Sequence, residues 1–459
     1  MKPILVIRKA ARRHFSMSLA CLLVSFTLAR QAAAEISVVK ADGWEMFTNG
    51  RLSGFVSYLN GEGYPLIKTD PMTNTPIQTP IGGGLDTNNA NGIPNANDPT
   101  AQPKLESMRI RSGFLANVLG VGFRRQLSET TTLTGYLELW SDIESEARKK
   151  YQPMPVDVRQ GFTRVQGSWG TVTVGRMLTL FSRGAAEIDF LYGHGFAVGF
   201  PTAVESYGPA AGHIGTGALG PGFAAGIVYS TPLLAGLQLN ASVFDPVLLN
   251  GGWQRTKWVR PEAELTYDAT LGNVGKLHLF ANGGYQKVYR NNEPDSTSAA
   301  AYGAGYGGRV EVGPVHLGVA GHVGQGLGLY YALETSEAAF DATPAHRLRK
   351  SDGYYAQLQL ALRKFDFNVG AGISRLKPLP QETAVIAGAP VVLPADGAPD
   401  ANGGRQSLIK YQLGMSAVIV YHVTPAFHVA VDYFRGDFRW QLGEHQVVNF
   451  VNTGVTMVW

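Results

Sequence analysis

The sequence predicts an all-β fold: a transmembrane antiparallel β-barrel of about 16 strands. Three observations predict it. The chain opens with an export signal, it contains no spanning apolar run after that signal, and it alternates polar and apolar residues many times over between short and long connections.

The first 34 residues read as a signal peptide. Lys2, Arg8, Lys9, Arg12 and Arg13 form a basic start, residues 15–29 are apolar and free of acids, and Ala32-Ala33-Ala34 supplies the small residues of a cleavage site. Cys21, the one cysteine of the chain, lies inside that apolar run, which continues through Leu22-Leu23-Val24. A lipid-attachment site does not sit in mid-run, so lipidation is rejected. Residues 35–459 then form a single cysteine-free barrel domain, which excludes disulfides and thiolate metal sites.

Charge excludes another class. Six of the 39 basic residues lie in the signal and none of the 35 acids does, so 33 face 35 in the mature chain, a formal charge of −2. A near-neutral chain gives no support to nucleic-acid binding. No mature apolar run approaches the roughly 18 residues of a spanning helix, yet only 16% of residues are charged and 56 are glycine.

The strands carry the prediction. Ile409, Tyr411, Leu413, Met415, Ala417, Ile419 and Tyr421 share one face, with Lys410, Gln412, Gly414 and Ser416 on the other. Leu237, Leu239, Ala241 and Val243 oppose Gln238, Asn240 and Ser242. Val259, Ala263, Leu265 and Tyr267 oppose Arg260, Glu262, Glu264 and Asp268, and in the last segment Val447, Val451, Val455, Met457 and Trp459 share a face. Side chains of a strand point alternately to its two faces, so each segment has one apolar side. Many run for roughly 10 residues, the length of a tilted membrane crossing. Tyr58, Trp140, Tyr267, Tyr421, Tyr433 and Trp459 stand near strand ends, as in interfacial girdles.

Strand starts are expected near Phe47, Glu106, Thr132, Val158, Thr171, Phe223, Leu237, Trp258, Lys276, Tyr302, Val315, Tyr354, Phe365, Leu408, Phe427 and Val447. Short connections (167–170, 232–236, 313–314, 424–425) alternate with long ones (60–104, 177–222, 325–352, 376–406). Short turns at one rim and long loops at the other are the layout of a barrel.

The stretch Gly161-Phe162-Thr163-Arg164-Val165-Gln166-Gly167-Ser168-Trp169-Gly170-Thr171-Val172-Thr173-Val174-Gly175-Arg176 resembles the trimeric general porins of Gram-negative bacteria: strand, glycine turn with an aromatic, strand ending in Gly-Arg. Gly50-Arg51-Leu52-Ser53-Gly54-Phe55 is similar to that family's first strand, and the final strand ends on an aromatic, Trp459. The first loop is longer, and the third richer in Gly and Ala, than in the family pattern. The resemblance implies an integral outer-membrane homotrimer in contact with outer-membrane lipid. It implies passive diffusion of ions and small hydrophilic solutes, and a third loop folded into the lumen with acids facing wall arginines. Residues 177–222 stand where that loop belongs, and Glu187, Asp189 and Glu205 are its carboxylates.

Alternation supplies the arginines. Arg109 and Arg111 share a face opposite Met108, Ile110 and Phe114. Arg51 shares one with Ser53 and Ser57 opposite Leu52, Val56 and Tyr58, with Phe55 an apolar exception on the arginine side. A charge facing lipid at mid-membrane costs about 2–4 kcal/mol, so all three are assigned to the lumen. Glu187, Asp189, Arg51, Arg109 and Arg111 are the candidate pore constriction; Arg176 is assigned either to the loop root or to the pore.

Other signals carry no chemistry. The glycine-rich stretch 303–308 matches a dinucleotide fingerprint by letter, but Arg309-Val310-Glu311-Val312 continues a strand where that motif needs a helix. The ten histidines lack metal-ligand spacing, His422 and His428 being placed at the rim, and no Gly-x-Ser-x-Gly elbow occurs in the mature chain. No enzyme activity, cofactor or metal is expected. Three alternatives stand beside the diffusion pore: a channel selective for phosphate or a sugar, with Arg260, Lys410 and Arg363 as lumen candidates; a plugged, surface-binding barrel; and a secreted soluble β protein.

Overall fold

The computed structural model of the chain describes residues 35–66, 68–69, 71–72, 76–81, 83–84, 92–93, 102–113, 115, 117–141, 143, 156–191, 212–249, 253–292, 294–333, 348–378 and 405–459. The expected signal peptide (1–34), Phe114 and Glu205 lie outside these. In chain order the elements are β1 (Ile36–Ala41), β2 (Trp44–Glu62), β3 (Lys68–Thr69), β4 (Pro76–Ile81), β5 (Gly92–Ile93), β6 (Lys104–Arg111), β7 (Asn117–Ser128) and β8 (Thr131–Ser141). Then come β9 (Val156–Gly167), β10 (Gly170–Leu178), the short helix α1 (Arg183–Glu187), β11 (Phe223–Ser230), β12 (Leu237–Phe244), β13 (Arg260–Leu271) and β14 (Gly275–Tyr289). The chain closes with β15 (Ser298–Val312), β16 (Val315–Gln325), β17 (Lys350–Leu362), β18 (Phe365–Leu376), β19 (Arg405–Thr424), β20 (Phe427–Trp440) and β21 (His445–Val458).

The strands close into a 16-strand antiparallel barrel. Each strand from β7 to β21 pairs with its neighbour in sequence, and β21 returns to β2, Val458 opposite Arg51 and Val448 opposite Gly61. Two barrel strands are composite. Both β6 and β7 pair with β2, one along Phe55–Glu62 and the other along Trp44–Arg51, so they form one strand broken between Arg111 and Asn117. Side chains bridge the break: Ser53 N–H donates to Asn117 Oδ1 (2.7 Å) and Gly113 N–H to Ser53 Oγ (3.1 Å), so these two amides find partners where the ladder is interrupted. The last strand is composite too. The ladder of β21 ends with Trp459 paired to Gly50, and β1 takes over along the same edge of β2, Ile36 opposite Thr48. β21 and β1 thus continue one another along one edge of β2. β1 was not anticipated.

The alternation decides the faces. On β20, Val431 and Tyr433 are exposed outward while Ala430, Asp432 and Phe434 are buried inward. Met108 and Ile110 are over two-thirds exposed, whereas Arg111 is buried. An apolar face this extensive and this exposed belongs in hydrocarbon. Two sequence assignments are corrected. Trp140 is not a girdle residue: it is 7% exposed and follows Tyr136 and Glu138 on the inward face. Ile409 is not on the outer face with Tyr411: a bulge between them turns it inward, where it is wholly buried.

Inside the long-loop end, apolar side chains of the wall and loops pack together. One cluster holds Leu59, Leu105, Leu329, Tyr330, Phe438 and Trp440 among others; another holds Phe181, Leu219, Trp253, Leu327 and Leu333. The first loop joins this layer, with β4 running parallel to the start of β19.

Candidate functional site

The connection after β10 turns into the barrel. Its two limbs part and rejoin side by side: Thr179 N–H donates to Gly222 O (2.9 Å) and Gly222 N–H to Thr179 Oγ1 (3.1 Å). A segment entering the lumen must find partners for its backbone, and the wall provides them. Glu262 Oε2 accepts from Leu180 N–H (2.8 Å) and Phe181 N–H (2.9 Å), and Asn282 Oδ1 accepts from Ser182 N–H (3.3 Å). Further on, Tyr355 O–H donates to Ala185 O (2.6 Å). Gln357 accepts from Phe190 N–H (2.8 Å) and donates to Ile188 O (2.7 Å). The returning limb is held by Gln412 Nε2 donating to Gly215 O (2.7 Å) and by Gly217 N–H donating to Ser374 Oγ (2.8 Å).

The loop therefore lies along β13, β14, β17, β18 and β19. At its far side Leu191 packs against Phe55, Val418, Val420 and Ala430. That contact explains Phe55, an apolar residue between Arg51, Ser53 and Ser57 on the inward face. Glycine makes the close approach possible: a Cβ on Gly372 would come within 2.1 Å of Thr216 O, and one on Gly414 within 2.6 Å of Thr216 Oγ1.

Glu187 stands at the end of α1 with about a quarter of its side chain exposed. Its neighbour is Arg183, whose Nε is 3.6 Å from Glu187 Oε1 and whose guanidinium also bonds the fully buried Glu264. Burial inside the barrel pushes the Glu187 carboxyl up to about 7, with the charge of Glu264 adding to the effect and Arg183, His278 and Arg309 opposing it. Water on the open quarter of the side chain softens that burial.

Asp189 is placed differently. It is 2% exposed, and its oxygens serve the loop itself: Oδ1 accepts from Leu191 N–H (2.9 Å), Oδ2 from His213 N–H (2.7 Å) and contacts His213 Nδ1 (3.1 Å). The expectation that it offers charge to the pore is corrected on that ground.

Arg51, Arg109 and Arg111 all lie on the inward face, Arg51 and Arg111 buried and Arg109 half-buried. Arg51 lies within electrostatic reach of His428. Arg176 pairs with Gly161 and Ala225 and alternates in step with the exposed Val174, out of step with the inward Thr173 and Met177. It is half-buried just before the loop root, and its step in the strand argues against the pore assignment.

The sequence reading missed much of the site. Arg183, Glu262, Gln357 and Gln412 hold the loop. A second arginine group lies on the inward face of β7 to β9, laid over aromatic rings: Arg124 over Phe47 (4.5 Å), Arg164 over Phe162 (4.8 Å) and Arg159 over Trp140 (4.9 Å). Arg164 is within electrostatic reach of the loop's Arg183. His422 and His428 flank the turn as expected and form a polar cluster there, with Nδ1 atoms 2.7 Å apart and His422 Nε2 2.8 Å from Asp366 Oδ2. Of the extra lumen candidates, Arg260 is buried inward beside Glu262 (3.0 Å), Arg363 is a turn residue with φ 52°, and Lys410 is exposed at the β19 bulge.

Residues 22–389 match the family described as Gram-negative porin. No curated protein matches the chain. Among solved structures, the chain is similar to the outer membrane channel DcaP of Acinetobacter baumannii, with TM-score 0.60, 13% identity, and 92% of this chain and 100% of that chain covered. It is also similar to an anion-selective porin from Comamonas acidovorans, with TM-score 0.53, 10% identity and coverage of 91% and 100%. A third is OmpF of Salmonella typhi in complex with daunomycin, with TM-score 0.51, 13% identity and coverage of 93% and 100%. At such identities these likenesses speak to the fold, while the family match speaks to the function. The chain belongs to the Gram-negative porin family and is a passive channel integral to the outer membrane.

Proposed function

We propose that residues 35–459 work as a homotrimeric diffusion pore for ions and small hydrophilic solutes, narrowed by the inward loop. The observation that carries this reading is the anchoring of that loop, through Glu262 at one end and Gln357 and Gln412 further along, inside the barrel wall. Glu187 supplies the loop's lumen charge, and Arg51, Arg109 and Arg111, with Arg164, supply the facing wall. Charges of opposite sign across a narrow aqueous gap orient dipolar solutes and bias ion passage. The reading uses no catalytic residue, cofactor or metal. The trimer rests on the resemblance to trimeric porins, not on a residue pattern of this chain.

Liposome swelling tests the diffusion reading. Proteoliposomes should swell in isosmotic sugars at rates that fall steeply with sugar size. Swelling no faster than in protein-free vesicles would overturn it. Cross-linking in mild detergent should give a band at three chain masses, and a persistent single-chain mass would remove the trimer.

A second reading, an anion-preferring selective channel, is favoured by the guanidinium groups laid on Phe47, Phe162 and Trp140. Such surfaces suit flat or phosphorylated anions. Phosphate blocking chloride current at low concentration would establish it; purely size-dependent passage would leave the general pore.

A further inference from the structure

A cleft of about 290 Å³ opens at the long-loop rim, lined in part by Tyr302, Val323, Lys350, Tyr354, Arg375 and Lys377. It lies outside the barrel. Tyr302, Val323 and Tyr354 are 46%, 40% and 38% exposed, while their neighbour Tyr355 is buried inward against the loop. Lys350 opens β17 and Arg375 stands next to the last residue of β18, so the cleft sits where the long loops begin. Long loops mark the cell exterior, which places it at the headgroup level of the outer leaflet.

Its chemistry is amphipathic. Three cations and one carboxylate line it: Arg375 Nε donates to Asp352 Oδ2 (2.8 Å), Lys377 Nζ is 3.3 Å from Asp352 Oδ1, and Lys350 is exposed. The side chains of Arg375 and Lys377 are still 48% and 61% exposed, so one acid neither neutralises nor covers them. Asp352 instead positions them, and the Arg375 guanidinium is spread over the Tyr354 ring at 5.7 Å. Below, on the same outer face, the exposed Val319 and Leu358 continue toward the membrane centre.

We propose that this cleft binds the phosphorylated headgroup of an outer-leaflet glycolipid, with the acyl chains lying along the apolar strip beneath. Charge complementarity selects the phosphate, and basic clusters at a membrane interface hold anionic headgroups in this way. The tyrosines and the strip beneath select a lipid over a free anion, which would gain nothing from them. The site is separate from the lumen, so it stands or falls apart from the pore reading.

The test is native mass spectrometry of the folded, detergent-purified protein with bisphosphorylated lipid A and with its dephosphorylated form. Wild type should retain the phosphorylated lipid, and the triple variant Lys350→Gln/Arg375→Gln/Lys377→Gln should retain it at least about tenfold less. Lys104→Gln, a basic rim residue on β6, should behave as wild type. Heat-modifiable mobility and unchanged conductance would establish that the triple variant is folded. Lys377→Gln alone, at a largely exposed side chain, gives the same direction of change should the triple variant fail to fold. Equal retention by wild type and both variants overturns the proposal. So does equal retention of the two lipids, or displacement by millimolar inorganic phosphate, which would mark a free-anion site. Loss of the native oligomer in the triple variant would assign the patch to a contact between copies and overturn it as well.

Discussion

Asp189 Oδ2 accepts the backbone N–H of His213 at 2.7 Å and meets its ring Nδ1 at 3.1 Å, tying the outgoing limb of the inner loop to the returning one. The His213 ring stacks on Tyr355 at 4.2 Å, which fixes the joined limbs to β17. Replacing Asp189 by Ala strands the amides of Leu191 and His213, at about 1–3 kcal/mol for each buried donor. Hydrogen exchange at His213 N–H should then accelerate by about tenfold or more. Ion selectivity should hold, because the carboxylate is buried.

Glu187 is predicted to behave in the opposite way. Glu187→Gln should leave loop exchange unchanged and shift the reversal potential in a salt gradient toward anions. The pH dependence follows from its raised pKa, near 7. Above that value the carboxylate is charged and attracts cations. As pH falls through it, the group becomes neutral and the wild-type channel should drift toward anions, while Glu187→Gln stays flat. Identical pH profiles for the two proteins would remove Glu187 from the conduction path.

Glu262 receives two loop amides and lies 3.0 Å from Arg260 Nε. Glu262→Ala leaves both amides and a buried arginine without that acceptor, a change worth about 3–5 kcal/mol for breaking a buried charge pair. The loop root should release, giving larger and noisier single-channel steps with the barrel still folded. Quiet steps of wild-type size would show that the anchor is dispensable.

A Cβ at Gly372 would meet Thr216 O at 2.1 Å, closer than any real contact. Gly372→Val should therefore lift the returning limb off the wall and change conductance. Gly135→Val, where a Cβ meets nothing within 4 Å, should not.

The barrel was legible because its signal is local. Phe223, Leu237, Val315, Phe365 and Phe427 each begin a strand as predicted, since period-two alternation and turn glycines are read a few residues at a time. The same rule placed Arg51, Arg109 and Arg111 inward. It failed where one extra residue resets the count, as between Ile409 and Tyr411. The loop's position was legible from its length, but its grip was not. Leu180 finds Glu262 82 residues away, and Gly215 finds Gln412 197 residues away, through barrel closure alone. Asp189 and Glu187 look alike in sequence. Only the fold that brings His213 back shows one buried in the loop and the other about a quarter exposed.

The most direct measurement is single-channel conductance of the refolded, detergent-purified chain in a planar bilayer. The account predicts large steps that close in threes. A demonstrably folded barrel that conducts nothing would contradict it, and would mean that the inner loop and the packed mouth seal the lumen.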